Sequence, residues 1–189
     1  MKKYSYAFLL AAPVLLALYF LSAENASAAT LYLASDKDTF SIGDSFDLSV
    51  KIDSEGVGVN AAQATLQFPK DILTVASIDK SNSSFNFWLE EPVFSNEKGI
   101  LTFTGGSQSG FSGKSLQVLK IAFKVAGSGK AQINFTDGAV TASDGSGTNV
   151  LSVMRGIEIT SVPKAEISGS RAAPVPAPQQ IIRAPARAE

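Results

Sequence analysis

Four stretches of this 189-residue chain alternate strictly between apolar and polar side chains, and that two-residue rhythm limits the fold more than any other feature. Phe46, Leu48, Val50 and Ile52 are interleaved with Asp47, Ser49 and Lys51. Ala62, Ala64, Leu66 and Phe68 are interleaved with Gln63, Thr65 and Gln67, and Leu119, Ile121, Phe123 and Val125 with Lys120, Ala122 and Lys124. Ala131, Ile133 and Phe135 alternate with Gln132 and Asn134. A β-strand turns successive side chains to opposite faces, so each stretch has one face for a core and one for water. Shorter strands are predicted at 31–33, 73–78, 85–89, 100–104 and 150–159. Turn residues separate the runs: Gly43-Asp44, Glu55-Gly56, Lys98-Gly99, Gly127-Ser128-Gly129, Asp137-Gly138 and Asp144-Gly145-Ser146-Gly147. No segment carries a capped 3.6-residue stripe; at most one helical turn is expected near 69–72. About nine short strands punctuated in this way predict an all-β fold, an antiparallel β-sandwich or jelly roll. Ten of the 12 Phe residues lie between Phe40 and Phe135, and each buried Phe contributes roughly 1.5–3 kcal/mol, so a core is affordable without disulfides.

The two ends read differently. Lys2 and Lys3, an apolar run from Tyr6 to Leu21, and Ala26-Ser27-Ala28 form the charged, apolar and small-residue parts of an export signal spanning 1–28, with Ala29 as the new N-terminus. The apolar run has 16 residues and is interrupted by Pro13, short of the ~20 that span a bilayer core. Membrane attachment would need the signal uncleaved or an anchor beyond the given sequence. Either way residues 29–162 are expected to work outside the cytoplasm, secreted or at the cell surface. From 163 to 189 the chain turns to Pro, Ala and Arg, as in Ala172-Ala173-Pro174-Val175-Pro176-Ala177-Pro178, which predicts a stiff disordered linker or tail.

Absences exclude much chemistry. The sequence has no His and no Cys, which removes His-based triads and dyads, thiol nucleophiles, disulfides and the usual zinc sites. A net charge of −1 gives no electrostatic reason to bind nucleic acid. No metal ligand set and no cofactor is predicted. Asp144-Gly145-Ser146-Gly147-Thr148-Asn149 has one carboxylate where a calcium loop needs several, and reads as a hairpin turn. Asp36 and Asp38 read as a solvated loop beside an edge strand. Glu90 and Glu91 are adjacent, so a strand would point them to opposite faces rather than across a glycosidase cleft. The run Gly105-Gly106-Ser107-Gln108-Ser109-Gly110 lacks the Lys-Ser/Thr pair of a phosphate loop and is expected to be a flexible loop; its alternative is a partner-facing loop. Phe85-Asn86-Phe87-Trp88 is expected to pack at the core or an edge; its alternative is a sugar-stacking surface built on Trp88 and Phe87.

The order of these segments resembles the cohesin domain. Phe40-Ser41-Ile42-Gly43-Asp44-Ser45-Phe46 looks like that family's opening turn into a long strand. Gly58 to Phe68 resembles its next strand, and Phe68-Pro69-Lys70-Asp71-Ile72-Leu73-Thr74-Val75 its corner. Gly99-Ile100-Leu101-Thr102-Phe103-Thr104-Gly105-Gly106, Gly113 to Leu119, and Ile121-Ala122-Phe123-Lys124-Val125 are similar to its later strands. The resemblance covers roughly residues 31–160. It implies a non-catalytic jelly roll, related to some carbohydrate-binding modules, that mediates protein–protein attachment by gripping a dockerin-like partner on one sheet face. Calcium would then sit on the partner and not on this chain. The gripping face would use the strand at 59–68 and the region near 101–108, which puts Gln63, Thr65, Gly106, Ser107 and Gln108 among the contacts. Where many dockerin binders carry an Asn-x-Asp pair, this chain has Ala61 and Gln63. A polysaccharide ligand and a structural or adhesive role in a surface protein are the alternatives; an enzyme is not expected.

Overall fold

The structure is a computed structural model that describes residues 29–164; the export signal lies outside the described residues, as does the tail from 165 onward. The described chain holds eleven strands: β1 (Ala29–Ala34), β2 (Thr39–Ser41), β3 (Ser45–Asp53), β4 (Val59–Gln67), β5 (Leu73–Asp79), β6 (Phe87–Ser95), β7 (Ile100–Phe111), β8 (Leu116–Val125), β9 (Gly129–Ala142), β10 (Leu151–Arg155) and β11 (Ile157–Val162). They form two sheets, ordered β10-β1-β3-β8-β5 and β2-β11-β9-β4-β7-β6.

The alternating runs account for the layering. Leu48, Val50 and Ile52 of β3 meet Leu119, Ile121 and Phe123 of β8 from the five-stranded side, all buried to within 1%. Ala62, Ala64 and Leu66 of β4, Leu101 and Phe103 of β7, and Ala131 and Ile133 of β9 face them from the other sheet. Ring contacts run through this layer: Phe46 stacks on Phe40 at 4.3 Å and approaches Phe123 at 5.6 Å, while Phe68 meets Phe123 edge-on at 5.3 Å. The one expected helical turn is a turn and no more: the Ile72 and Leu73 amides both donate to the Pro69 carbonyl.

The all-β sandwich is the one the sequence predicts, and three details differ. Two strands beyond the expected nine come from the three-residue β2 and from the splitting of 150–159 into β10 and β11. Nor is the sandwich wholly antiparallel, because β1 pairs with β10 in parallel and β2 pairs with β11 in parallel. The first two strands thus run beside the last two, β1 with β10 and β2 with β11, and each pair of segments changes sheet, at 35–38 and at Gly156. The Asp144 segment does turn the chain back tightly, with the Ala142 amide donating to Thr148 O and a bridge between Thr141 and Asn149. The strand after it, however, joins β1 rather than completing a hairpin with β9. Asp144 holds that turn by accepting from the Ser146 amide at 2.8 Å and the Thr148 hydroxyl at 2.7 Å.

Candidate functional site

The outer face of β6-β7-β4-β9 brings most of the predicted contact residues together. Register fixes four rows of outward side chains across these strands, from β6 to β9: Phe87–Gly106–Ala61–Thr141, Glu90–Thr104–Gln63–Ala139, Val93–Thr102–Thr65–Asp137 and Ser95–Ile100–Gln67–Asn134. Gln63 and Thr65 stand at the centre, as expected, with Ala61 beside them. Between Glu90, Gln63, Thr65, Thr102, Thr104 and Asp137 the surface sinks into a depression of about 200 Å³. Glu90 accepts from the Thr104 hydroxyl at 3.2 Å on one side of it. These rows contain two carboxylates, Glu90 and Asp137, and no Lys or Arg.

The glycine-rich run is not a loop. Residues 105–111 continue β7, and Gly105 and Gly106 each pair with β4 on one side and β6 on the other. Both glycines are demanded by close approach. A Cβ at Gly105 would fall 2.7 Å from Trp88 Cε3 and 2.9 Å from Phe85 Cδ2, and one at Gly106 would overlap the Asn60 carbonyl oxygen. Among the predicted contacts from this run, Gly106 therefore offers only backbone, Ser107 is buried at 9% exposure, and Gln108 is exposed.

The aromatic cluster divides by the same register. Phe85 is buried in the turn before β6 rather than inside a strand. Trp88 points inward, tilted on Phe85 at 5.5 Å and edge-on to Phe103 at 6.3 Å, with the Lys80 ammonium 5.4 Å from its ring centre. Lys80 is also paired with Glu91. Phe87 faces outward and is 43% exposed. Reading by strict alternation missed Leu89, Glu90, Val93 and Asp137. The strand β6 spends two more residues than β7 over the paired stretch, with irregularities between Trp88 and Glu90 and between Glu90 and Val93. Each bulge shifts the phase by one residue and pushes a side chain out. Leu89, the extra residue of the first, is 78% exposed. The signal that could have shown this is Pro92, which marks an edge strand, inside a run whose apolar residues do not alternate.

Beside these rows, on β9 and β11, Glu158 accepts from Lys130 Nζ and Gln132 Nε2, each at 2.7 Å. Lys130, then Gln132, hold the Glu158 carboxyl below the usual Glu range, and Glu158 in turn raises Lys130. Two larger hollows, about 480 and 370 Å³, adjoin the β1–β2 loop, where Asp36, Lys37 and Asp38 lie. Among the described residues no group of three or more His, Cys, Asp or Glu side chains could hold a metal ion.

The two packed sheets define a β-sandwich module of jelly-roll type. The chain belongs to the cohesin domain family, whose model matches residues 32–160, and it is accordingly a non-catalytic module with a protein partner. Solved structures of the same fold include a type II cohesin domain from the cellulosome of Acetivibrio cellulolyticus, at 17% identity and TM-score 0.59, covering 70% of this chain and 95% of that one. A cohesin module from a family 33 glycoside hydrolase of Clostridium perfringens aligns at 16% identity and TM-score 0.61, covering 73% and 99%. A type I cohesin–dockerin complex from Clostridium thermocellum aligns at 11% identity and TM-score 0.56, covering 71% and 99%. A search of curated protein sequences gives no match.

Proposed function

We propose that this chain is an exported attachment module that grips a dockerin-like protein on the outer face of β6-β7-β4-β9. The observation that carries the reading is the face itself: Ala61, Gln63, Thr65, Thr102 and Thr104 form a paired surface with little charge, bordered by apolar side chains on one edge strand. Weakly hydrated threonine and alanine positions on a rigid sheet lose little entropy when covered, which favours docking of another preformed surface. Similarity to a solved cohesin–dockerin complex supports the partner class. The Lys2-Lys3 start, apolar run and Ala26-Ser27-Ala28 support export. The polysaccharide alternative is less well supported, because Trp88 is engaged with Phe85, Phe103 and Lys80 and leaves Phe87 without a second ring to make a platform.

The test is direct titration of the chain with a panel of calcium-loaded dockerins. At least one is expected to bind, and Thr65→Arg at the centre of the face is expected to weaken it by at least about a hundredfold, as a long side chain opposite Asp137 fills the depression and holds a partner off the sheet. No binding across the panel, or binding indifferent to Thr65→Arg, rules the assignment out.

A further inference from the structure

The outer face of the other sheet, β10-β1-β3-β8-β5, gathers cations at one corner. Leu31 of β1 and Val50 and Ile52 of β3 are buried, so Tyr32 and Lys51 between them turn outward. On β10, Met154 lies opposite Leu31, with its sulfur 3.0 Å from where a Cβ on Gly138 would stand. Met154 therefore faces the gap between the sheets, and Arg155 faces out. Register lines up Arg155, Tyr32 and Lys51 in one row across three neighbouring strands. Arg155 and Lys51 are two strand spacings apart, about 10 Å, with Tyr32 between them. The segment between β7 and β8 is clamped beside this row. Ser54, fully buried, donates its amide to the Gly113 carbonyl at 2.9 Å, and its hydroxyl accepts from the Gly113 amide at 3.0 Å. The Tyr32 hydroxyl donates to the Lys114 carbonyl at 3.1 Å, and Lys51 Nζ donates to Ser115 Oγ at 3.1 Å. These bonds fix a third cation, the exposed Lys114, at the hydroxyl end of the Tyr32 ring.

Among the described residues, Arg155, Lys51 and Lys114 have no carboxylate within ion-pair distance. The acids of this face are engaged elsewhere. Asp53, the nearest along β3, accepts from the Glu55 amide at 3.0 Å; Asp47 lies 3.9 Å from Lys120, and Asp79 pairs with Lys120 in register. An aromatic ring set between a guanidinium and two ammonium groups suits a ligand that combines a flat apolar face with a negative charge. A pyranose ring bearing a carboxylate has both: its C–H face stacks on an aromatic ring, and its carboxylate takes two parallel hydrogen bonds from an Arg. We propose that this corner binds an acidic polysaccharide built of uronic acid units. One sugar lies on Tyr32, and carboxylates on its two sides are held by Arg155 and by Lys51 with Lys114. The site is on the opposite sheet from Gln63, Thr65, Phe87 and Trp88, so a bound glycan leaves the docking face open. The module can then hold a charged matrix on one face and a protein on the other, and the glycan site does not depend on which protein that is.

The experiment titrates the full chain with oligogalacturonate, with oligomannuronate and with the methyl ester of each, which keeps the ring and removes the charge. At least one uronate is expected to bind, at least about tenfold more tightly than its ester, with the gap narrowing in high salt. Tyr32→Ala and the double variant Lys114→Glu/Arg155→Glu are each expected to weaken binding by at least about tenfold. Tyr32→Phe keeps the ring and gives up only the bond to Lys114, and is expected to stay within about threefold of the wild type. A melting curve checks that each variant is folded; the double variant changes two exposed side chains, so it tests the site even if Tyr32→Ala does not fold. Thr65→Arg, on the far sheet, is expected to leave uronate binding unchanged, which keeps the fate of this site separate from that of the docking face. The inference is overturned if neither uronate binds, if the esters bind as well as the acids, or if binding survives the double variant or a folded Tyr32→Ala. Equal binding of single-stranded DNA would show a general polyanion surface and overturn it too.

Discussion

At the residue scale, Gly105 shows how one missing Cβ couples the core to the outer face. The Phe85 and Trp88 rings pack against the backbone of β7 only because nothing projects inward from position 105. With Trp88 drawn inside, the neighbouring Phe87 turns outward opposite Gly106 and becomes part of the rim. A side chain at 105 must displace two aromatic rings, so Gly105→Val is expected to destabilise the chain by about 1–3 kcal/mol, the usual cost of overpacking. Urea unfolding followed by Trp88 fluorescence measures it, since the only Trp of the sequence sits at the point of insertion. Unchanged stability would mean that the rings do not pack there. Thr104→Val, at a half-buried position on the outer face of the same strand, is the control, and is expected to stay within about 1 kcal/mol.

At the element scale, β7 is where sequence reading and structure diverge, and the reason is physical. The alternation of β3, β4, β8 and β9 was legible because those strands bury one face against the other sheet: Leu48, Leu66, Ile121 and Ile133 all fall inward as their spacing predicts. Composition carries no such record in Gly105 and Gly106, because a glycine that makes room for its neighbours looks the same in sequence as one that gives a loop its freedom. Bulges hide the rest. In β6 the two added residues scramble the phase, so Leu89 and Val93 could not be assigned a face; in β9 the irregularity opposite Thr65 and Leu66 did the same for Asp137. Gln63 and Thr65, on a strand whose alternation holds through 61–67, were placed correctly on the outer face. Strand and loop predict opposite amide behaviour. Hydrogen exchange at Gly105 and Gly106, hemmed in by β4 and β6, is expected to be as slow as at Leu101 and Phe103 and at least about a hundredfold slower than at Gly145 and Ser146 in the β9–β10 turn. Fast exchange at 105 and 106 would restore the flexible-loop reading.

At the scale of the whole molecule, the two sheets are joined by the ends of the chain as well as by their shared core. The strands β1 and β10 close one edge region of the five-stranded sheet, and β2 and β11 do so for the six-stranded sheet, each as a parallel pair that sequence-distant segments must come together to make. Parallel pairing of termini ties the fold late in the chain: β11 supplies Ile159, fully buried, and Ser161, whose hydroxyl donates to the Gly127 carbonyl at 2.7 Å. It also covers Gly129–Ile133 of β9 and is the sole neighbour of β2. Removing Ile159 alone to Ala is worth about 2–5 kcal/mol, and losing the whole strand adds the opened β9 edge and the freed β2, against a total stability of ~5–15 kcal/mol for an ordinary domain. A chain ending at Arg155 is therefore expected to lose its cooperative thermal transition, whereas one ending at Lys164 is expected to melt within a few degrees of the full-length protein, since the Pro/Ala-rich sequence beyond it has only Ile167, Val175, Ile181 and Ile182 as large aliphatic side chains, too few and too scattered to make a core. Because β11 flanks β9 directly, the shorter chain is also expected to lose partner binding, even though none of the residues in the four docking rows has been removed. A sharp melt from the chain ending at Arg155 would show that the sandwich closes without its last strand and that the parallel clasp is dispensable.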